Sequence, residues 1–222
     1  MAGTQVPSGR TGRPAVTSRP QILAAARALI DRDGWDTLTI RRLAGELGIG
    51  ATTLYHHVRD KHELLVLLLN EHLARQARPE LPAEPLERII VVGVALRDAL
   101  ATWPWVAEAV AVDGFIALLD EGALWTVEEI VSTAVAAGCD EAEAVALFRN
   151  VWYLATGEVV VRARTLRGRP GGVELGDGFL SHIDPEVMPQ LATIGARWPE
   201  YAARDTYLDG LRAMVTGMLP GA

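Results

Sequence analysis

A single cysteine, Cys139, stands in this chain of 222 residues, so it can form no intrachain disulfide and has no partner for a cysteine metal site. That economy agrees with a reducing compartment. Long apolar runs are missing as well. Half the residues are hydrophobic, yet unbroken runs such as Ile89 to Leu96 stop far short of the ~20 residues that span a bilayer. No membrane helix is expected. The opening MAGTQVPSGRTGRPAVTSRP holds Arg10, Arg13 and Arg19 but lacks the apolar core of a secretory leader, which makes the cytoplasm the expected location. Serine is scarce too. Ser8, Ser18, Ser132 and Ser181 are the only four, none in a nucleophile elbow, and neither HExxH nor a paired-cysteine motif occurs. No catalysis is expected.

Positive charge is short overall, with a net −7, but the deficit is unevenly spread. Residues 1–78 carry 11 Lys and Arg against 7 Asp and Glu, a net of +4, whereas residues 79–222 carry 10 against 21, a net of −11. A basic head on an acidic body concentrates any attraction for phosphate in the head.

What is there begins with TLTIRRLAGELGIGATTLYHHVRDK, Thr37 to Lys61. Leu38, Ile40, Leu43, Ala44 and Leu47 recur at helical spacing, so one face of a short helix is apolar and Arg41, Arg42 and Glu46 face away. Gly48 follows, where a left-handed cap costs a residue without Cβ least. Ile49 then returns to the core, and a second short helix from about Gly50 to His56 carries Leu54 and Val58 inward. Two short helices joined by a glycine turn form a helix-turn-helix, whose second helix can enter the major groove of DNA. Ahead of it, Ser18 and Gln21 form a capping box that starts a supporting helix, with Ile22, Leu23, Ala26, Leu29 and Ile30 as its buried face and Gly34 as its end. Residues 1–17 lack the large apolar side chains that folding needs. They are expected to be a flexible basic arm, either touching DNA or simply solvated.

From about Ser18 to Arg78 the chain resembles the tetracycline-repressor family of transcription regulators: a first helix ending near Gly34-Trp35, the LTIRRLA segment, the LGIGATTLYHHV turn and reading helix, then Asp60-Lys61 opening a long helix. The resemblance implies an all-α, homodimeric regulator. It would have a three-helix head over 18–63, a linker helix continuing to about 78, and a helical-bundle body over 79–222 that binds a small molecule and dimerises. The implied DNA-binding residues are Arg41, Gly50, Ala51, Thr52, Thr53, Tyr55, His56 and Lys61. Their chemistry suits the role: Arg41 can fork onto guanine or phosphate, Thr52 and Thr53 can bond bases or phosphates, and Ala51 can meet a thymine methyl. Glu63 is expected to complete a second capping box with Asp60. His56, His57 and His62 have no cysteine nearby and no repeated i,i+4 pair, so neither a metal nor a cofactor is expected.

Past Pro79, Pro82 and Pro85 the body reads as helix throughout: Pro85 to Thr102, a short helix opened by Pro104, Phe115 to Ala137, Asp140 to about Leu166, a short helix from Asp184-Pro185, and about Arg204 to Leu219. The resemblance places the dimer interface on the helices at about 140–166 and 204–219. Arg167 to Ser181 is glycine-rich without the Lys-Ser or Lys-Thr of a phosphate loop, and is expected to be either a flap or plain surface. Trp103, Trp105, Phe115, Trp125, Phe148, Trp152 and Tyr153 are the candidates to line a pocket for a hydrophobic, ring-containing effector, with Asn150, Thr156 and Glu158 as polar groups. The tetracycline-binding member holds its metal-bound drug with a His and a Glu. Ala109 or Val110 and Val161 stand at those places here, and His182 is the only histidine after residue 79, which argues against that ligand. The reading is therefore a repressor released from a palindromic operator by a small molecule. A ligand-independent architectural binder and an enzyme with an attached helix-turn-helix are the alternatives.

Overall fold

The computed structural model describes residues 18–105, 115–166 and 183–221, without the side chains of Phe115, Leu118 and residues 164–166. The basic arm, the helix expected from Pro104 beyond Trp105, the glycine-rich loop Arg167 to Ser181 and His182 lie outside the described residues. Among those described, the regular elements are helices and no strand occurs. The chain divides into two compact units, residues 1–68 and 69–222.

In the first unit, α1 (Arg19–Asp33) starts at the expected capping box: Gln21 N donates to Ser18 Oγ, and Ser18 N donates to Gln21 Oε1 at 2.8 Å. Gly34, at φ +85°, ends it and leads into a 3-10 turn over Trp35–Thr37. Thr39 Oγ1 accepts from Arg42 N at 3.1 Å and caps α2 (Ile40–Glu46). Gly48 takes φ +65°, the left-handed value a turn here requires, and α3 (Ala51–Tyr55) follows. Asp60 Oδ1 then accepts from Glu63 N at 2.8 Å at the head of α4 (Lys61–Ala74). The second capping box is displaced, because Glu63 Oε2 takes Arg59 N at 2.6 Å rather than the Asp60 amide. Ile22, Leu29, Leu38, Leu43, Leu54, Leu64 and Leu68 are fully buried. Removing each from water is worth about 1.5–3 kcal/mol, which offsets the entropy of ordering these short helices.

The division between the units falls inside α4, which begins in one and ends in the other. In the second unit, Glu84 caps α5 (Pro85–Thr102), accepting from Leu86 N at 3.1 Å and Glu87 N at 2.6 Å. α5 packs with α6 (Glu121–Ala136) and α7 (Glu141–Leu166), and α10 (Tyr207–Met218) closes over α5 and α7. Between α7 and α10 lie α8 (Pro189–Ile194), a 3-10 turn and α9 (Trp198–Ala202). Gly93 lets α10 approach, since a Cβ there would stand 2.9 Å from Leu211 Cδ2. The Tyr207 hydroxyl donates to Gly93 O at 2.9 Å in the same contact, and burial pushes that phenol well above its ordinary pKa. Arg88 pairs with Glu129 at 2.8 Å and ties α5 to α6.

Several boundaries differ from expectation, each for a local reason. α4 stops at Ala74, not about Arg78, where Arg75 N and Gln76 N turn back to His72 O and Leu73 O and the approach of Pro79 disfavours further helix. The stretch from Phe115 is a 3-10 turn to Leu118, and the α-helix begins only after Asp120, whose carboxylate caps Ala123 N at 3.1 Å. Asp184-Pro185 makes a turn, with helix resuming at Pro189, and the last helix starts at Tyr207, with Asp205 Oδ1 bonded to its amide at 3.1 Å. The segment Glu141–Ala163 of α7 is long and apolar enough to cross a membrane by composition alone. Its buried residues, among them Leu147, Val151 and Ala155, instead make it the central helix of the bundle.

Candidate nucleic-acid interface and ligand cavity

The arginines of the first unit divide by what holds them. Arg42 is committed to the fold: Nη1 donates to Thr37 Oγ1 at 2.7 Å and Nη2 pairs with Asp33. Arg32 forks onto both Glu46 oxygens, each at 3.3 Å. Arg41, next in sequence to Arg42 but turned outward by the helix, is exposed and has no ion-pair partner among the described residues. Gly50, Thr52, Thr53, Tyr55 and His56 are exposed along α3, and Ala51 is half-buried. Tyr55, at 52% relative exposure, keeps its ring outside the core that Leu54 and Val58 enter. No side chain caps α3 at Gly50, so its first amides stay open to an outside acceptor.

Lys61 stands apart from this set. Its ammonium donates to Trp35 O at 3.0 Å and sits 3.8 Å above the Trp35 ring, and desolvation lowers its pKa against the pull of Asp36. It anchors the 3-10 turn to the start of α4.

Within the second unit a cavity of about 290 Å³ opens between the end of α4, α5 and α6. Gln76, Arg78, Asp98, Thr102, Trp125 and Thr126 supply its polar and aromatic wall, and Leu73 and Leu96 its apolar side. Arg78 lies over the Trp125 ring at 5.1 Å. A slit of about 10 Å³ shares Leu73, Leu96 and Thr126 with the cavity and is lined beyond them by Phe148 and Trp152.

The structure thus separates the aromatic candidates. Trp125 lines the cavity, and Phe148 and Trp152 the slit. Trp103 instead stacks on His72 at 4.3 Å and on Trp105 at 5.5 Å. Tyr153, one residue from Trp152, is turned about 100° round the helix and is 51% exposed. Its hydroxyl accepts from Arg149 Nη2 at 2.6 Å, outside both cavities. The Phe115 side chain lies outside the described residues. Asn150 is exposed and bonds Ala146 O, and Glu158 pairs with Arg162. Thr156 is buried, with no partner for its hydroxyl among the described residues.

Six polar groups of the second unit were not anticipated from sequence: His72, Gln76, Arg78, Asp98, Thr102 and Thr126. His72 is buried, its Nε2 3.0 Å from Ala99 O and 3.2 Å from Gln76 Nε2. Their signal was the i,i+4 pair His72 and Gln76 at the end of a helix read as a linker rather than as a wall.

A family model described as bacterial regulatory proteins, tetR family, matches residues 22–68. The tetracycline repressor protein class D of Escherichia coli is 46% identical over 66 residues, 30% of each chain. The chain spans less than a third of the length of the curated relatives it matches first. Solved structures match over far more. The Streptomyces coelicolor TetR family protein ActR, in complex with actinorhodin, is 25% identical and covers 94% of this chain and 98% of its own, with a TM-score of 0.77. BioQ with its double-stranded DNA operator is 27% identical over 91% of this chain and 98% of its own, with a TM-score of 0.63. The head of this chain, residues 22–68, thus belongs to the tetR family of bacterial regulatory proteins, and the bundle that follows it shares the fold of TetR family structures nearly end to end.

Proposed function

We propose that the protein is a ligand-responsive, sequence-specific DNA-binding transcription regulator that acts as a homodimeric repressor released by a small molecule. The observation that carries the DNA-binding part is the division of labour among the arginines: Arg42 and Arg32 are spent on the fold, while Arg41 and the exposed row on α3 have no internal task. Such a surface suits a major groove, where Arg41 meets guanine or phosphate and Thr52, Thr53, Tyr55 and His56 meet bases and backbone. The operator complex of BioQ supports the same use.

The dimer reading rests on apolar side chains left outside the bundle. Val145, Tyr153 and Val161 stand eight residues apart along α7 at 49%, 51% and 64% exposure, and Leu208 on α10 is at 48%. Exposed apolar side chains gathered on two neighbouring helices mark association surfaces. The cavity between α4, α5 and α6 supports a ligand site, as does the actinorhodin complex of ActR. Because α4 ends in the cavity wall and begins in the first unit, a ligand that favours one position of Leu73 and Gln76 biases the helix that leads to the reading element. Coupling of this sort is typically ~1–3 kcal/mol and reciprocal between the two ligands.

A gel shift on the DNA flanking the protein's own gene, with unrelated competitor DNA and at two salt concentrations, tests this reading. A discrete complex that survives competitor supports it. Salt-sensitive smearing alone would favour the architectural alternative, in which the head holds phosphate without reading bases.

A further inference from the structure

The cavity walls say more about the ligand than that it is small. Arg78 lines the 290 Å³ cavity, and no carboxylate among the described residues pairs with its guanidinium. It instead lies 5.1 Å from the centre of the Trp125 ring. A guanidinium held over an indole face retains its N–H donors, and their fixed fork matches a carboxylate. The other charged group of the wall, Asp98, lies 2.7 Å from Arg97 Nε, an arginine that also pairs with Asp205 at 3.4 Å. Its negative charge is partly offset, and the charge of the wall without an ion-pair partner among the described residues is the positive one of Arg78, beside one aromatic face.

Size and shape narrow the class. A volume of about 290 Å³ lies at the small end of ligand sites, which run from ~300 to ~1,000 Å³. Beyond the cavity the slit has only about 10 Å³ and is closed by Leu73, Leu96 and Phe148, so a long alkyl chain has no continuation. A dianion such as a phosphate monoester would leave one charge unmatched close to Asp98, whereas a monoanion would not.

We infer that this cavity takes a compact planar aromatic monocarboxylate, its carboxylate received by Arg78 and its ring set against Trp125 and Leu96. The inference rests on the ligand-site reading above and narrows its effector from hydrophobic to anionic and aromatic. Arg78 sets the charge preference; Trp125 and the apolar side of the wall set the preference for a ring.

Isothermal titration calorimetry on the full-length protein with 2-naphthoate and its neutral isostere 2-naphthamide separates the two layers of the argument. Wild-type protein is expected to bind the acid at least about tenfold more tightly than the amide. Arg78→Gln, an exposed substitution with no ion pair to break, is expected to bring the ratio near one by weakening the acid more than the amide. Equal binding of acid and amide in wild type, or a ratio unaltered by Arg78→Gln, overturns the inference. If that equal binding is lost in Thr126→Trp, which fills the cavity, the ligand site stands and only its charge preference falls. Failure of both compounds to bind at millimolar concentration overturns the ligand class outright. Far-ultraviolet circular dichroism and the melting temperature of each variant confirm that it is folded.

Discussion

Arg41 and Arg42 are adjacent, identical in type and opposite in surroundings, and the helix between them is the cause. A step of about 100° carries Arg42 over Thr37 and Asp33, where it holds the 3-10 turn, and leaves Arg41 in solvent. Replacing each by alanine therefore gives different signatures. On the proposed reading, Arg41→Ala removes a contact made only with DNA. A bidentate contact is worth about 1–3 kcal/mol, so operator affinity is expected to fall roughly 5- to 150-fold with the melting temperature unchanged. Arg42→Ala breaks a partly exposed ion pair and a hydrogen bond, and should cost up to about 1 kcal/mol of stability. Fluorescence anisotropy and thermal melts on both variants check this. A lower melting temperature for Arg41→Ala with affinity retained would reverse the assignment. Tyr55 and Lys61 part in the same way, since Tyr55 is half exposed while Lys61 is bonded to Trp35 O and covered by its ring.

At the scale of elements, the turn and the caps position the reading helix. Gly48 is at φ +65°, where a Cβ meets the following carbonyl oxygen at a cost of about 1–2 kcal/mol. Nothing lies within 4 Å of where that Cβ would stand, so Gly48→Ala should lose about that much stability through backbone strain alone, measurable by urea denaturation. An unchanged midpoint would mean the turn relaxes. The head of α4 adds a dependence on pH. The Arg59 backbone amide, bonded to the Glu63 carboxylate, is the largest of the causes that hold its pKa below the ordinary value. A folded pKa lower than the unfolded one gives stability that is complete above about pH 4.5 and is lost as pH falls through the folded value. The melting temperature of Glu63→Gln should therefore approach that of wild type as pH drops below that range. A constant gap between them across the range would contradict the claim.

These elements were readable because each is marked by a short local pattern: the Ser18–Gln21 box, the helical period from Leu38 to Leu47, Gly48 after it, and Pro85 opening α5. Position within the tertiary structure was not. α7 is apolar round most of its circumference, so nothing local says that Phe148 and Trp152 face the slit while Tyr153 faces solvent. That choice is made by α5, α6 and α10 packing on one side. The cavity was missed for a related reason. Its polar wall draws Gln76 and Arg78 from the residues just past α4, Thr102 from the end of α5 and Thr126 from α6, far apart in the chain and ordinary in any one stretch. The end of α4 was overrun because Leu73 continues the helical period, whereas Pro79 acts through the residues before it.

For the whole molecule, the exposed apolar residues of α7 and α10 and the exposed row on α3 make linked demands. Reading two half-sites of one operator takes two copies of α3 at a spacing set by a two-fold body, with centres ~34–36 Å or a multiple apart. Val161→Asp, at a residue 64% exposed, should leave the fold intact and halve the mass seen by light scattering if this face of α7 is the dimer interface. An unchanged mass would place the interface elsewhere. The acidic balance of residues 79–222 and the basic balance of residues 1–78 add to this, because a dimer doubles both charges while bringing two basic heads to one duplex.

Sequence-specific reading by α3 is the central claim, and selection of bound sequences from a random pool of double-stranded DNA tests it without knowing the operator. Repeated rounds with wild-type protein and with Arg41→Ala should enrich an inverted repeat for wild type, with half-sites whose centres lie about 10–10.5 base pairs or a multiple apart. In the variant that enrichment should weaken at the positions Arg41 meets. Recovery of no common sequence by wild-type protein, despite salt-sensitive binding, would contradict it and leave a head that holds phosphate without reading bases.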